Sequence, residues 1–166
     1  MKIEIVHCQP EHAKDIAEIC ANGWQQTVEG QLSKEYQEIA KKVWYTEERV
    51  RNDIKLGTYK YSAMVDGKVV GSIGGDLNKE LVSWIWVFYI DESYRYQGVG
   101  KMLLEAYTKD HMQAGAKEQW VTVMNENHRG IPFYESNGFN VQERLIKKTE
   151  TGEDEIVWTY KRSLEL

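Results

Sequence analysis

The apolar positions change period several times along the chain, and each change marks an element. Residues Lys2 to His7 alternate, with Ile3 and Ile5 on one side, and read as a strand. Pro10 suits a first helical turn, Glu11 complements its dipole, and Ala13, Ile16, Ala17, Ile19 and Cys20 recur at helical spacing. The stretch from Trp24 to Leu32 is poorly periodic. A helix is expected from Ser33 and Glu35 toward Trp44, then a short one, capped by Thr46, from Glu47 to about Leu56, stopped by Gly57. Tyr59 to Val65 and Lys68 to Ile73 flank Asp66-Gly67, the strongest hairpin signal in the chain.

After Gly74-Gly75-Asp76 comes a long apolar strand, Leu81 to Ile90, on which Trp84, Trp86, Phe88 and Ile90 share one face by the period of two. The next helix puts Val99, Met102, Leu103 and Ala106 on one face and ends at Gly115. Gln119 to Met124 is a strand, and Asn127 can cap a helix that ends at Gly138; Pro132 is harmless there if the helix begins near Gly130. Phe139 to Ile146 and Glu155 to Tyr160 form a final hairpin over Thr149 to Asp154. The principal order, β-α-α-β-β-β-α-β-α-β-β, predicts an α+β fold with a mostly antiparallel sheet of about seven strands flanked by about four helices.

Composition narrows the function classes. A length of 166 residues without a Pro-, Gly- or Ser-rich linker predicts a single domain over residues 1–166. A net charge of −5, with both signs interspersed, disfavours non-specific nucleic-acid binding and mildly favours a cationic substrate. Cys8 and Cys20 make neither a disulfide framework nor a metal pattern, and His7, His12, His111 and His128 have no metal spacing, so no metal is expected. The first eight residues lack the apolar core of a signal peptide, and no run approaches a membrane span. These features together predict a cytoplasmic protein. Six tryptophans and ten tyrosines suit either an aromatic-lined pocket or ordinary packing.

The stretch from Ile90 to Leu104 carries the clearest chemistry. A strand runs into a polar loop with Gly98 and Gly100, and a helix opens at once. Glycines let backbone N–H groups converge on an anion, and the helix N-terminus adds unpaired donors and its dipole. A P-loop needs Ser or Thr after Lys101, where Met102 stands; a dinucleotide fingerprint needs Gly or Ala at position 103, which is Leu103. What stands here is Arg95-x-x-Gly98-x-Gly100. It resembles the pyrophosphate loop of the GNAT superfamily of N-acetyltransferases. The segment from Asn127 through Gly130, Phe133-Tyr134 and Gly138-Phe139 is similar to the second signature of that superfamily. Trp24-x-x-Thr27 with Gly30 matches a further family stretch in part, Val28 replacing an aromatic residue.

The resemblance implies acetyl-coenzyme A as acyl donor and the primary amine of a small molecule or peptide as acceptor. It implies that Arg95, Tyr96, Gln97, Gly98, Val99, Gly100 and Lys101 hold the pyrophosphate, mainly through backbone donors, and that Asn127 meets the pantetheine arm. It further implies that the Ile90 N–H stabilises the oxyanion and that Tyr134 protonates the departing thiolate. Relatives often carry a base on the strand before the loop, where this chain has Trp84 and Trp86. The base is then a relayed water or a loop carboxylate, Glu80, Glu126 or Glu29; alternatively the two indoles, with Trp24, line the acceptor pocket. Direct attack is expected, because neither cysteine belongs to the motifs. A coenzyme A sensor of the same fold, or transfer of another acyl group, are the alternatives. No nucleic-acid or membrane partner is implied, and a homodimer is compatible with the family.

Overall fold

The structure is a computed structural model that describes residues 1–165. Seven strands form one sheet in the order β1-β2-β3-β4-β5-β7-β6. They are β1 (Ile3–His7), β2 (Tyr59–Val65), β3 (Lys68–Leu77), β4 (Val82–Ile90), β5 (Glu118–Met124), β6 (Asn140–Lys148) and β7 (Asp154–Ser163). The helices are α1 (Ala13–Val28), α2 (Lys34–Trp44), α3 (Glu47–Lys55), α4 (Val99–Gln113) and α5 (Gly130–Ser136). Every strand pair is antiparallel except β4 with β5.

Local chemistry sets most boundaries. The hydroxyls of Ser33 and Thr46 accept from the N–H groups of Tyr36 and Arg49, each at 3.1 Å, and so open α2 and α3. Asp66 and Gly67 both have positive φ, 50° and 77°, as a two-residue hairpin turn requires. Pro132 falls in the first turn of α5, where its missing N–H costs nothing. One boundary differs from expectation: α1 runs through Trp24 to Val28. Gly23 interrupts the apolar pattern there, but a Cβ on it would meet the Tyr89 ring at 2.4 Å. The helix therefore needs glycine to lie this close to β4.

Two apolar layers cover the sheet. On one face, Leu103, Leu104 and Tyr107 of α4 pack with Ile73, Ile85, Val121 and Val123; on the other, Ile16, Ala17 and Cys20 of α1 and Val50 and Ile54 of α3 pack with Tyr59, Val69 and Val87. Ile85 lies on the α4 face and Val87 on the α1 face, so strand parity reverses between them. The cause is a β-bulge: Gly75 pairs with Ile85 and Gly74 with Val87, which leaves Trp86 as an extra residue. The expected common face of Trp84, Trp86, Phe88 and Ile90 is thereby broken. Phe88 and Ile90 join the α4 layer, whereas Trp84 and Trp86 stack on each other at 4.7 Å on the opposite side.

Tyr107, fully buried on α4, donates its hydroxyl to the Trp84 carbonyl beside the bulge. Tyr107→Phe leaves that carbonyl without its partner and is expected to cost about 1–3 kcal/mol, read as a lower urea midpoint. An unchanged midpoint would show that the bulge does not depend on this bond. Burial also raises the phenol pKa of Tyr45, Tyr59, Tyr89 and Tyr107. Their folded pKa values lie above the unfolded value of about 10, so the stability they contribute is complete below that pH and is lost as pH rises beyond it. The urea midpoint is expected to be flat up to about pH 9 and to fall steeply above about pH 10. A midpoint already falling at lower pH would assign alkaline lability to other groups.

Among the described residues no helix is long and apolar enough to cross a membrane, and no group of three or more His, Cys, Asp or Glu is placed to hold a metal ion.

Candidate active site

The parallel pairing of β4 with β5 runs only from Val82 with Glu118 to Ile85 with Val121. Beyond it, β4 follows β3 and β5 follows β7, and the two half-sheets diverge. The Asp91 N–H donates to the Val70 carbonyl at 2.8 Å. By antiparallel alternation the N–H groups of Val87 and Tyr89 also face β3, and those of Phe88 and Ile90 face the opening. A cleft of about 660 Å³ occupies this opening, lined by Phe88, Tyr89 and Ile90, the glycine loop, the start of α4 and the Asn127–Asn137 segment.

The glycine loop leaves β4 through a 3-10 turn at Glu92–Tyr94, held by the Asp91 side chain, which accepts from the Ser93 N–H at 2.9 Å. Gly98 then adopts φ 87°, a left-handed conformation that glycine reaches without Cβ strain, and α4 begins at Val99. The first helical bond is Met102 N–H to the Gly98 carbonyl, at 3.1 Å. The N–H groups of Val99, Gly100 and Lys101 therefore have no acceptor inside the helix. Among the described residues, apart from Gly98 and its chain neighbours, no atom stands within 4 Å of where a Gly98 Cβ would be. Open space in front of free donors at a helix N-terminus fits a pyrophosphate. Tyr96 also has positive φ, 63°, and lies 89% exposed, which is backbone strain concentrated at this loop.

The opposite wall is built on Asn127. Its Oδ1 accepts from the Gly130 N–H at 2.8 Å, and its carbonyl accepts from the Ile131 N–H at 2.9 Å, so it anchors the start of α5. A Cβ on Gly130 would come within 2.5 Å of the Asn127 amide, which explains the small residue three positions on. Tyr134 lies one turn into α5 against Phe88, Phe133 and Phe139, with ring centroids 5.4–6.4 Å apart. It is buried, lines the cleft, and burial raises its pKa well above that of a free phenol. Nothing else shifts it.

Gln26 of α1 ties the walls together at the mouth. Its Oε1 accepts from Arg95 at 2.8 Å and from Arg129 at 3.2 Å, while its Nε2 donates to Glu92 at 2.7 Å. Burial and the neighbouring Arg129 charge lower the Arg95 pKa. Gln26 thus holds two guanidinium groups at the rim, with the Glu92 carboxylate beside them. Sequence reading did not single out Gln26 or Arg129; their partners lie 69 and 103 residues away, and no local pattern signals such a contact.

Of the residues singled out from sequence, Ile90, Arg95, Tyr96, Gly98, Gly100, Lys101, Asn127 and Tyr134 line the cleft. Val99 is buried under the loop, and the Gln97 amide folds back to the Ser93 carbonyl at 3.2 Å. Trp84, Trp86 and Trp24 are not among the lining residues, although Gly23 beside Trp24 is. None of the three suggested carboxylates lines the cleft either. Glu80 sits in the turn before β4, at the far end of the strand from Ile90.

Comparison with known proteins agrees with this geometry. The model of the acetyltransferase (GNAT) family matches residues 23–139. A spermidine N(1)-acetyltransferase of Thermoplasma acidophilum is 27% identical over 148 residues, covering 86% of this chain and 91% of that protein. The Escherichia coli K12 enzyme that acetylates the alanine of ribosomal protein bS18 is 32% identical over 71 residues, 41% of this chain and 48% of that protein. The crystal structure of the PaiA N-acetyltransferase of Thermoplasma acidophilum in complex with coenzyme A superimposes with a TM-score of 0.80 at 25% identity, covering 98% of this chain and 99% of that one. Match length, fold and the two signatures at the cleft together place the chain in the acetyltransferase (GNAT) family.

Proposed function

We propose that the protein is an N-acetyltransferase that moves an acetyl group from acetyl-coenzyme A to the primary amine of a small molecule or peptide by direct attack. One observation supports this reading above others: the free N–H edge of β4, the glycine cradle and the Tyr134 ring converge on the gap where β4 leaves β5. When bound, acetyl-coenzyme A supplies an acetyl group activated as a thioester. Val99, Gly100 and Lys101 would donate backbone N–H groups to its pyrophosphate, and Arg95 with Arg129 would add positive charge at the rim. Asn127 and Ile90, which line the cleft, would flank the pantetheine arm.

A primary amine has a pKa near ~10.4 and attacks only when neutral. The apolar walls made by Phe88, Tyr89 and Phe133 favour its uncharged form, and water in the open cleft can take the proton. The Ile90 N–H, fixed on the strand edge, donates to the oxyanion as it develops. The attacking nitrogen, cationic once bonded to the acyl carbon, sheds its second proton to water; Tyr134 then gives its phenolic proton to the leaving thiolate, whose conjugate acid has a pKa near ~8.5, and regains a proton from solvent. No cysteine of this chain lines the cleft, which supports a single displacement rather than an acyl-enzyme. The experiment that tests the reading is release of free thiol from acetyl-coenzyme A in the presence of amines, with the acetylated product identified by mass.

A further inference from the structure

The α1 side of the cleft continues into an aromatic lining that the transfer step itself does not use. Tyr89 lines the cleft and meets Tyr45 edge-on at 6.4 Å; Tyr45 lies 6.5 Å from Trp24, and Trp24 lies 6.2 Å from Tyr36. All four residues are half-buried, Tyr45 and Tyr89 resting also on the core between α1 and the sheet. The row leads outward from the reacting end, between α1 and α2, toward the hairpin of β6 and β7.

That hairpin is pinned to α2. Glu153 accepts from the Ser33 N–H at 2.6 Å and from the Ser33 hydroxyl at 2.7 Å, and Ser33 in turn caps Tyr36. Within β7, Trp158 and Tyr160 join the α4 layer, so by the period of two Glu155 projects to the opposite face, that of α1. It is half-buried, and its charge acts on the phenols of both Tyr36 and Tyr45. Lys147 is its cross-strand neighbour, yet among the described residues no cation lies within ion-pair distance of Glu155 and no donor bonds it. Desolvation raises its pKa, the Lys147 charge across the strand opposes the rise without closing to an ion pair, and the nearby Glu150 adds to it. A half-buried carboxylate without a partner is costly, and a cation from outside removes that cost.

We infer that Glu155 and the rings of Trp24, Tyr36 and Tyr45 form a cation site for the acceptor, which binds a second positive charge remote from the reacting amine. The acceptor class is then an elongated dication: an alkyl chain lies along the aromatic row, one amine reaches Tyr89, and an ammonium or guanidinium group pairs with Glu155 over the ring faces. Glu155 acts as a specificity-determining residue, too far along the row to touch the reacting atoms. The inference rests on the amine-transfer reading and narrows its substrate class.

The test compares cadaverine with n-pentylamine, which share a five-carbon chain and differ by the second ammonium group, in steady-state thiol release and in calorimetric titration of the coenzyme A-loaded protein. The wild type is expected to favour cadaverine in kcat/KM by about tenfold or more. Glu155→Gln is expected to raise the KM for cadaverine about tenfold, to change that for n-pentylamine by less than about twofold, and to lower calorimetric affinity for cadaverine in parallel. Glu155→Asp should recover part of the loss. Equal use of both amines, or a preference that survives Glu155→Gln, overturns the cation site while leaving amine transfer standing. Cadaverine binding that weakens in Glu155→Gln without any turnover supports the cation site and removes amine transfer. Absence of both binding and turnover with cadaverine overturns the cation site.

Discussion

A Gly98→Asp protein is expected to lose coenzyme A affinity by more than about a hundredfold, seen as an undetectable heat in calorimetric titration. Three effects act together. The left-handed backbone at Gly98, φ 87°, costs a residue with a Cβ about 1–2 kcal/mol. The new side chain occupies space that is empty of protein atoms within 4 Å. Its carboxylate also competes for the donors the cradle offers, since Asp ahead of a helix accepts from the first-turn N–H groups. That last effect caps α4, offsets part of the backbone cost and keeps the protein folded. Gly98→Ala pays only the backbone cost and is expected to weaken binding about tenfold at most. If Gly98→Asp bound coenzyme A as well as the parent, the glycine loop would not be the pyrophosphate site.

Tyr134→Phe is expected to lower kcat by about 10²–10³ with little change in the KM for either substrate, because a positioned general acid contributes on that scale. The substitution keeps the ring contacts with Phe88, Phe133 and Phe139. It removes only a hydroxyl at the cleft, so the urea midpoint should hold. A fall in kcat without a fall in stability therefore reports proton donation. Burial raises the Tyr134 pKa, so the donor form is complete below the ordinary phenol value of about 10, and the alkaline loss it causes begins only above that pH. Full activity in Tyr134→Phe would pass the proton to solvent.

What could be read from sequence is what local chemistry decides. The Asp66-Gly67 turn, the Ser33 and Thr46 caps, and the Gly98 loop each depend on a few adjacent residues, and each stands where expected. The spacing from Asn127 to Tyr134 likewise lies within one loop and one short helix. Contacts between distant elements were not legible. A period of two cannot say where a neighbouring strand is one residue shorter, so the bulge at Trp86 reversed the face assigned to both indoles. Gly23 lowers helical periodicity, yet packing on Tyr89 carries α1 across it. The Gln26 clamp on Arg95 and Arg129, and the bonds of Glu153 to Ser33 at the start of α2, depend on segments brought together only by the sheet order.

The indoles' position changes where the acceptor side of the site is sought. The β4 face that should have offered a base carries Phe88 and Ile90 at the cleft, while polar and acidic groups gather on the α2 side and on the β6–β7 hairpin. If the acceptor binds there, specificity lies on loops and helices outside the sheet, and the cradle lies on the sheet's divergence.

The most direct measurement of the central claim is incubation of the protein with acetyl-coenzyme A and a panel of polyamines, amino acids, aminoglycosides and peptides, following free thiol and product mass together. The expected result is thiol release matched by an N-acetylated amine, strongly reduced in Tyr134→Phe. Tight coenzyme A binding with no acetylated product across that panel would contradict amine transfer and make the domain a coenzyme A sensor.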